Sequence, residues 1–295
     1  MFANAVVLGA GGAAGVGPPI TKGECPQRSC AARSAGTALA AMMCVAGCGG
    51  GAPLLHGAHA LPAGGIAAGA GLSGTFATGD AAAAVRSARA LPAAGALDAE
   101  SQNAAARGEA VLAALAPSVA PWAAVRYGFP TSNEAGLTYA GRVLRLDFRH
   151  AFEDDSFALS IGGGVSAVVG AKDRQDVPAS EFHVAPSSTG FDVPLLAGWR
   201  STAGVVSLWG GVRGGVEWLK GDASLDTSDP LVRGRLDLSR WYAGGVFGLG
   251  LGFRHLHGAI ELDSYYQKIE GSIADYNVSL SSVTITPAAA LVATF

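Results

Sequence analysis

From about residue 115 onward the chain alternates apolar and polar side chains for ten or more residues at a time, and few folds tolerate that pattern. "SFALSIGGGVSAVV" puts Phe157, Leu159, Ile161, Gly163, Val165, Ala167 and Val169 on one face, against Ser160, Gly162, Gly164 and Ser166. "VVSLWGGVRGGVEWL" sets Val206, Leu208, Val212, Val216 and Trp218 against Ser207, Arg213 and Glu217. "WYAGGVFGLGLGFR" and "AIELDSYYQK" repeat the design, with Trp241, Phe247, Leu249, Leu251 and Phe253, then Ile260, Leu262 and Tyr266, on the apolar side. A period of two belongs to β-strands. Runs this long exceed the usual soluble strand. They match a tilted strand crossing about 25–30 Å of hydrocarbon.

Composition narrows the choice. The 295 residues have a mean hydropathy of +0.32, only 15% charged residues and 43 glycines. No run of large apolar residues is long enough for a transmembrane helix. That leaves a Gly/Ala-rich soluble core, or an all-β, antiparallel up-and-down barrel that meets lipid through alternate positions. Glycines within strands let a small barrel curve and leave space inside for larger side chains. The charges on the opposite face carry both signs: Arg126, Arg145, Asp147, Arg149, Arg213, Glu217, Arg254, Glu261 and Asp263. In a barrel of eight to ten strands they would fill the lumen and pair, because a lone buried charge is too costly. Trp122, Tyr127, Trp199, Trp218, Trp241 and Phe253 suit interfacial girdles or, equally, core. With a net charge of -3 there is no basic footprint for nucleic acid.

The alternation predicts strands near 65–77, 118–128, 133–140, 142–152, 156–170, 190–202, 205–219, 237–254, 257–271 and 281–295. In "EAGLTYAGRVLRLDFRH" the apolar phase flips at Gly141, which calls for a bulge or a tight turn. A turn gives ten strands, and a bulge gives eight if residues 65–77 lie outside. An odd number is disfavoured because both ends of such a barrel belong on one side. Short turns at "EDDS", "STAG" and "HLHG" would face longer polar loops at 171–189 and 220–236. Between strands, Asp80 and Asp98 are placed to cap two short Ala-rich helices, before or within the first loop.

All four cysteines (Cys25, Cys30, Cys44, Cys48) fall in the first 48 residues, which argues against a disulfide scaffold. Neither pair has CxxC spacing, and no histidine stands nearby at ligand spacing; His56 and His59 suit a solvated linker. "AVVLGAGGAAG" (5–15) imitates a dinucleotide fingerprint, but Pro18-Pro19 stop the helix that would hold a pyrophosphate. Lys22, Arg28 and Arg33 instead precede a short apolar stretch of signal-peptide length ending in "VAGC". This resembles a bacterial lipobox. The resemblance implies export, cleavage before Cys48 and lipid attachment to it, with Gly49 giving no inner-membrane retention mark. Cleavage at "AHA" (58–60) is the rival site, although it lies far beyond the apolar stretch. Beyond Cys48 the chain has 17 basic and 22 acidic residues, a net of -5. The layout expected is a leader over 1–48, a linker over 49–64, a first strand with a helical insert over 65–117, and a barrel over 118–295.

The final stretch, "SVTITPAAALVATF", alternates Val283, Ile285, Ala289, Leu291 and Ala293 and ends on Phe295. It resembles the C-terminal signature of bacterial outer-membrane barrels, which implies recognition of Phe295 by the barrel-assembly machinery. The resemblance covers about residues 118–295 and implies an outer-membrane location with membrane lipid as a partner. For chemistry, His150, His183, His255 and His257 with Ser156, Ser239 or Ser264 lack a GxSxG context. Asp222, Asp226 and Asp229 lack the spacing of a calcium loop. No motif calls for a cofactor or a metal. The expectation is a non-enzymatic barrel, structural or passing a small solute. The alternatives are a lipid-modifying outer-membrane enzyme and a lipid-anchored periplasmic β-protein.

Overall fold

The computed structural model describes residues 51–91, 98–169, 182–225, 232–253 and 255–295. Cys48 with the rest of the 1–48 leader, the 5–15 glycine run and Arg254 lie outside the described residues, as do Asp226, Asp229 and the side chain of His183.

In chain order the elements are β1 (Ile66–Gly74), β2 (Phe76–Ala77), α1 (Gly79–Arg89), α2 (Ala99–Leu115), β3 (Val119–Phe129), β4 (Asn133–Ala140), β5 (Val143–Glu153), β6 (Phe157–Val168), β7 (Phe182–Arg200), β8 (Val206–Leu225), β9 (Val232–Phe253), β10 (Leu256–Ile273) and β11 (Tyr276–Thr294). Each strand from β3 to β11 pairs antiparallel with its neighbour in sequence, and β1 pairs with both β3 and β11. The sheet therefore closes as a ten-strand antiparallel barrel, with β2 a two-residue flap on β11. At the seam, Phe295 N–H donates to the Ile66 carbonyl (2.8 Å), and Ile66 N–H donates to that of Phe295 (3.1 Å). Closure pairs every strand on both sides around the belt, while the upper ends of β7 and β11 rise past their shorter neighbours.

Ten strands rather than eight follow from a tight turn at Gly141. Ala140 pairs directly with Val143, and Gly141 takes φ +64°, a conformation cheap only for glycine. The turn also accounts for the phase flip in the sequence. One mouth carries both the start of β1 and Phe295, and we call it the terminal mouth. The opposite, or loop, mouth carries the helical insert, the end of β6, the start of β7, the end of β8 and the start of β9.

Two expectations are corrected. The polar loops placed at 171–189 and 220–236 are partly strand, since β7 begins at Phe182, β8 runs to Leu225 and β9 starts at Val232. The five strands β7–β11 thus have 18–22 residues, against 8–12 for β3–β6. One side of the wall rises well above the other. Second, Thr78, not Asp80, stands at the N-cap position of α1; its hydroxyl donates to the Val283 carbonyl rather than capping the helix, and Asp80 lies in the first turn. Asp98 does cap α2, accepting the Ser101 N–H at 2.8 Å. That bond holds the Asp98 carboxyl below its usual range.

The tall strands reverse their polarity part-way along. Near the loop mouth their inward side chains are apolar: Leu219, Leu236, Leu238, Ile269, Ile273, Val278 and Leu280 are buried against α1 and α2. Their outward side chains there are polar, among them Lys220, Asp237, Lys268, Glu270 and Ser279. Lower down the order inverts. Outward positions become Phe191, Val212, Val216, Trp218, Trp241, Phe247, Leu251, Ile260, Leu262, Tyr266, Ile285 and Leu291, all exposed. The switch falls at one level, because strand register aligns Thr189 with Trp218, Trp241 with Lys268, and Lys268 with Ser281. The two helices cross closely where Gly108 meets Ala88; a Cβ on Gly108 would lie 2.3 Å from that of Ala88.

Candidate functional site

The lumen below the switch level is where the polar side chains converge. On the short side, seven residues form a ladder of alternating sign: Arg149, Glu134, Arg126, Asp147, Arg145, Asp192 and Arg213. Arg149 meets Glu134 at 2.9 Å, and Glu134 also pairs with Arg126. Arg126 and Arg145 each reach Asp147 at 2.6 Å. Arg145 grips Asp192 through two bonds of 2.8 and 2.9 Å, and Arg213 joins Asp192 at 3.0 Å. All seven are at most 7% exposed. Such pairing is the condition for keeping charge inside a narrow barrel. Glycines make the room, since Gly136 abuts Arg126 and Gly164 abuts Arg145, where a Cβ would collide. A separate pair, Arg240 with Glu217 at 2.9 Å, lies beneath α2, and Arg240 also donates to the Ala114 carbonyl.

Arg126, Arg145, Asp147, Arg149, Arg213, Glu217, Glu261 and Asp263 all lie on the inner face. Glu134, Asp192 and Arg240 complete the ladder and the pair, and sequence reasoning missed them. Asp192 and Arg240 sit at period-two positions whose faces were assignable from their strands. Glu134 stands at the first residues of a strand, where phase is hardest to read. Of the six aromatic residues weighed for girdles, Trp122 is buried in the lumen, whereas Tyr127, Trp218, Trp241 and Phe253 are exposed on the outer face and Trp199 is half-buried. Trp241 leans on Tyr266 with ring centres 5.5 Å apart, at the switch level. Tyr127 and Phe129 meet edge-on at 4.9 Å near the terminal mouth.

The segment expected as a linker occupies this lumen. From Gly51, beside Tyr265 and Tyr242, residues 51–64 run toward the terminal mouth, where the chain enters β1 at Ile66. Leu54, Leu55 and Ala58 are buried with Trp122, Leu196, Trp209, Tyr242 and Val246. The wall grips the segment through its main chain. Glu261 takes the N–H groups of Leu54 (2.5 Å) and Leu55 (2.9 Å) on its two oxygens, and Trp209 Nε1 also donates to it (2.9 Å). Trp122 Nε1 donates to the Pro53 carbonyl (3.1 Å), and Arg213 donates to that of Ala52 (2.6 Å). Arg149 donates to the carbonyls of Gly57 and His59. Glu153 accepts from Ala60 N–H, and Glu134 accepts from Leu61 N–H (2.9 Å). The two ends of the charge ladder, Arg149 and Arg213, therefore discharge onto peptide carbonyls. Cavities of about 40 Å³ near Gly51 and about 170 Å³ beside His56, Arg126 and Glu134 flank the segment.

The histidine and serine candidates are scattered. His150 Nδ1 faces Asn133 (3.1 Å), His255 Nδ1 faces the Thr294 carbonyl (3.1 Å), and Ser239 donates to the Glu270 carbonyl. Among the described residues, no three His, Cys, Asp or Glu side chains gather as metal ligands do.

No family model matches the chain, and no curated protein matches it significantly. Among solved structures, Ail, the attachment invasion locus protein of Yersinia pestis, is 11% identical with a TM-score of 0.33, covering 79% of this chain and 100% of its own. The Neisserial surface protein A gives 8% identity and a TM-score of 0.28, covering 79% and 99%. The CymD monoaromatic hydrocarbon channel gives 10% identity and a TM-score of 0.30, covering 79% and 89%. Likeness of that degree adds nothing to the strand pairing on which the barrel rests.

Proposed function

We propose that the protein is a bacterial outer-membrane barrel, non-enzymatic, whose lumen is closed by its own residues 51–64 in the state described. The observation that supports this is the outward apolar belt bounded at one level by Phe191, Trp218, Trp241 and Tyr266 and continuing to Phe253 and Phe295. On β9 the belt from Trp241 to Phe253 takes 13 residues, close to the roughly 9–11 that a tilted strand needs to cross hydrocarbon. In water such a surface would be an aggregation hazard. A structural role fits the filled lumen better than an open passage for solute.

The same reading makes membrane lipid a partner and Phe295 the mark read by the barrel-assembly machinery. It also keeps Cys48 as the lipid-bearing residue. Palmitate label lost in Cys48→Ser and kept in Cys44→Ser is the expected result for that part.

The test of the whole is folding. Protein refolded with detergent or lipid vesicles should run differently on a gel before and after boiling, and in planar bilayers it should conduct little. Efficient refolding to a monodisperse state in buffer alone would overturn the proposal.

A further inference from the structure

The contacts between wall and segment have an unusual property. Eight groups of residues 52–61 are held by wall side chains, namely the carbonyls of Ala52, Pro53, Gly57 and His59 and the N–H groups of Leu54, Leu55, Ala60 and Leu61. Every one is main chain. The one polar side-chain bond within the segment, from His56 Nδ1, goes to the neighbouring Gly57 carbonyl. Carboxylates meet peptide N–H groups, while guanidinium and indole groups meet peptide carbonyls. This is the chemistry by which a cleft reads a peptide main chain, and Leu55, at φ +51°, turns two successive N–H groups onto the one Glu261 carboxylate.

Side chains add constraints at three positions, since Leu54 and Leu55 are buried among Trp122, Leu196, Trp209, Tyr242 and Val246 and Ala58 is enclosed as well. Ala58 faces Gly198, where even a Cβ on the glycine would lie 2.9 Å from the alanine Cβ, so a small residue is required there. Prolines at 54 and 55 would lose the donors that Glu261 accepts.

The segment is joined to the barrel wall in sequence only by a short exposed link. It belongs to no strand, and it joins the barrel through the exposed residues Pro62, Ala63 and Gly64, with Gly64 at φ +81°. The wall stays organised without it, because the ladder from Arg149 to Arg213 is bonded internally. Asp263 Oδ1 and Arg213 Nη2, both buried, have no protein partner even with the segment in place.

We propose that the lumen is a binding site for the main chain of a polypeptide segment bent as residues 51–61 are, that residues 51–61 are its occupant in cis, and that a peptide supplied from outside can take their place. One consequence concerns processing. Cutting at Ala60, the rival "AHA" site, would strip Glu261, Trp122 and Arg213 of the peptide groups they hold, so the exported protein keeps residues 51–60.

The test uses a variant lacking residues 51–60, refolded in detergent, and a labelled synthetic peptide of the sequence 51–61. The shortened protein should bind the peptide and shift the emission of Trp122 and Trp209; the full-length protein should bind it at least a hundredfold more weakly, because its own tethered segment competes at high effective concentration. N-methylation at the positions of Leu54 and Leu55 should weaken binding about tenfold or more, as expected for losing bonds to a carboxylate. Shuffling the other side chains while keeping leucines at 54 and 55 and a small residue at 58 should change it only a few-fold. A folded variant that ignores the peptide would overturn the proposal, as would one that tolerates N-methylation but not shuffling. Should the shortened chain fail to fold, a protease site inserted between Ala63 and Gly64 of the full-length protein allows cutting after folding. The freed piece should then exchange with labelled peptide, and permanent retention with no uptake would refute the idea. N-terminal sequencing of the exported protein checks retention of residues 51–60. The membrane reading fails separately, through detergent-free folding, and peptide exchange remains measurable in that case.

Discussion

Asp192 is the joint through which the charge ladder passes from the short side of the barrel to the tall side, and Asp192→Asn is its sharpest test. The carboxylate is 2% exposed and accepts three bonds, two from Arg145 and one from Arg213. Asparagine keeps the volume but removes the charge and turns an NH₂ donor toward guanidinium donors. Arg145 would still hold Asp147, whereas Arg213, left at best a neutral amide oxygen and the Ala52 carbonyl, would lose its carboxylate partner. Breaking a buried pair so that a charge is left uncompensated costs about 3–5 kcal/mol. The expected loss lies in that range, read from urea titration of the protein in vesicles, with tryptophan emission and the unboiled gel band as two probes. The double change Asp192→Leu with Arg213→Met removes both charges. It should be less destabilised than Asp192→Leu alone by about 1 kcal/mol or more, since apolar replacement of a whole buried pair is often neutral. A loss below about 1 kcal/mol for Asp192→Asn, or additive single and double variants, would refute the claim that the ladder holds these strands in register.

Three further outcomes are expected. Val212→Arg, in the middle of the outward belt and 58% exposed, should cost about 2–4 kcal/mol in a bilayer; a negligible effect in vesicles would count against lipid contact at that face. Gly248→Ala would place a Cβ 2.0 Å from the Trp209 indole. It should cost about 1–3 kcal/mol by overpacking, with a changed near-UV signal, and an unaltered spectrum would show that the indole is free to move. Asp98→Ala should expose α2 to proteolysis at neutral pH. Because the Asp98 carboxyl titrates below its usual range, the cap works when ionised and fades only as pH falls through that lowered range. Wild-type and variant cleavage rates should therefore converge in acid.

What the sequence made legible was whatever one solvent dictates along a whole strand. Within the belt, alternation of apolar and polar residues fixed which face each side chain takes, and the glycine at 141 marked a turn because the phase changed there. Legibility ended where the solvent changes. Above the switch level Leu219, Leu236 and Leu238 keep the period of two but invert its sense, so "KGDASL" and "VRGRLDL" read as polar loop although both contribute strand. The segment at 51–64 was obscure for a related reason. A chain whose main-chain groups are held by distant carboxylates and arginines carries no periodicity of its own. Its partners lie 69 to 207 residues away.

The reversal also explains why the helical insert sits where it does. A strand that leaves the bilayer can no longer offer apolar side chains outward, and its inward face no longer needs to hold a charged lumen. The tall part of β8–β11 therefore behaves as a soluble sheet, and a soluble sheet needs a second layer over its apolar face. Helices α1 and α2 supply that layer, built largely of alanine and closely crossed at Gly108, because little depth is available on the concave side of the wall. Arg240 stands at the boundary between the two regimes, paired below with Glu217 and bonded above to the Ala114 carbonyl of α2. If the insert and the wall extension form one unit, removing the insert should destabilise the upper strands and leave the belt intact. Hydrogen exchange should then rise at Leu236, Leu238 and Ile269 while Val246 and Leu262 stay protected. Equal loss of protection along the whole of β9 and β10 would show that the barrel depends on its cap throughout.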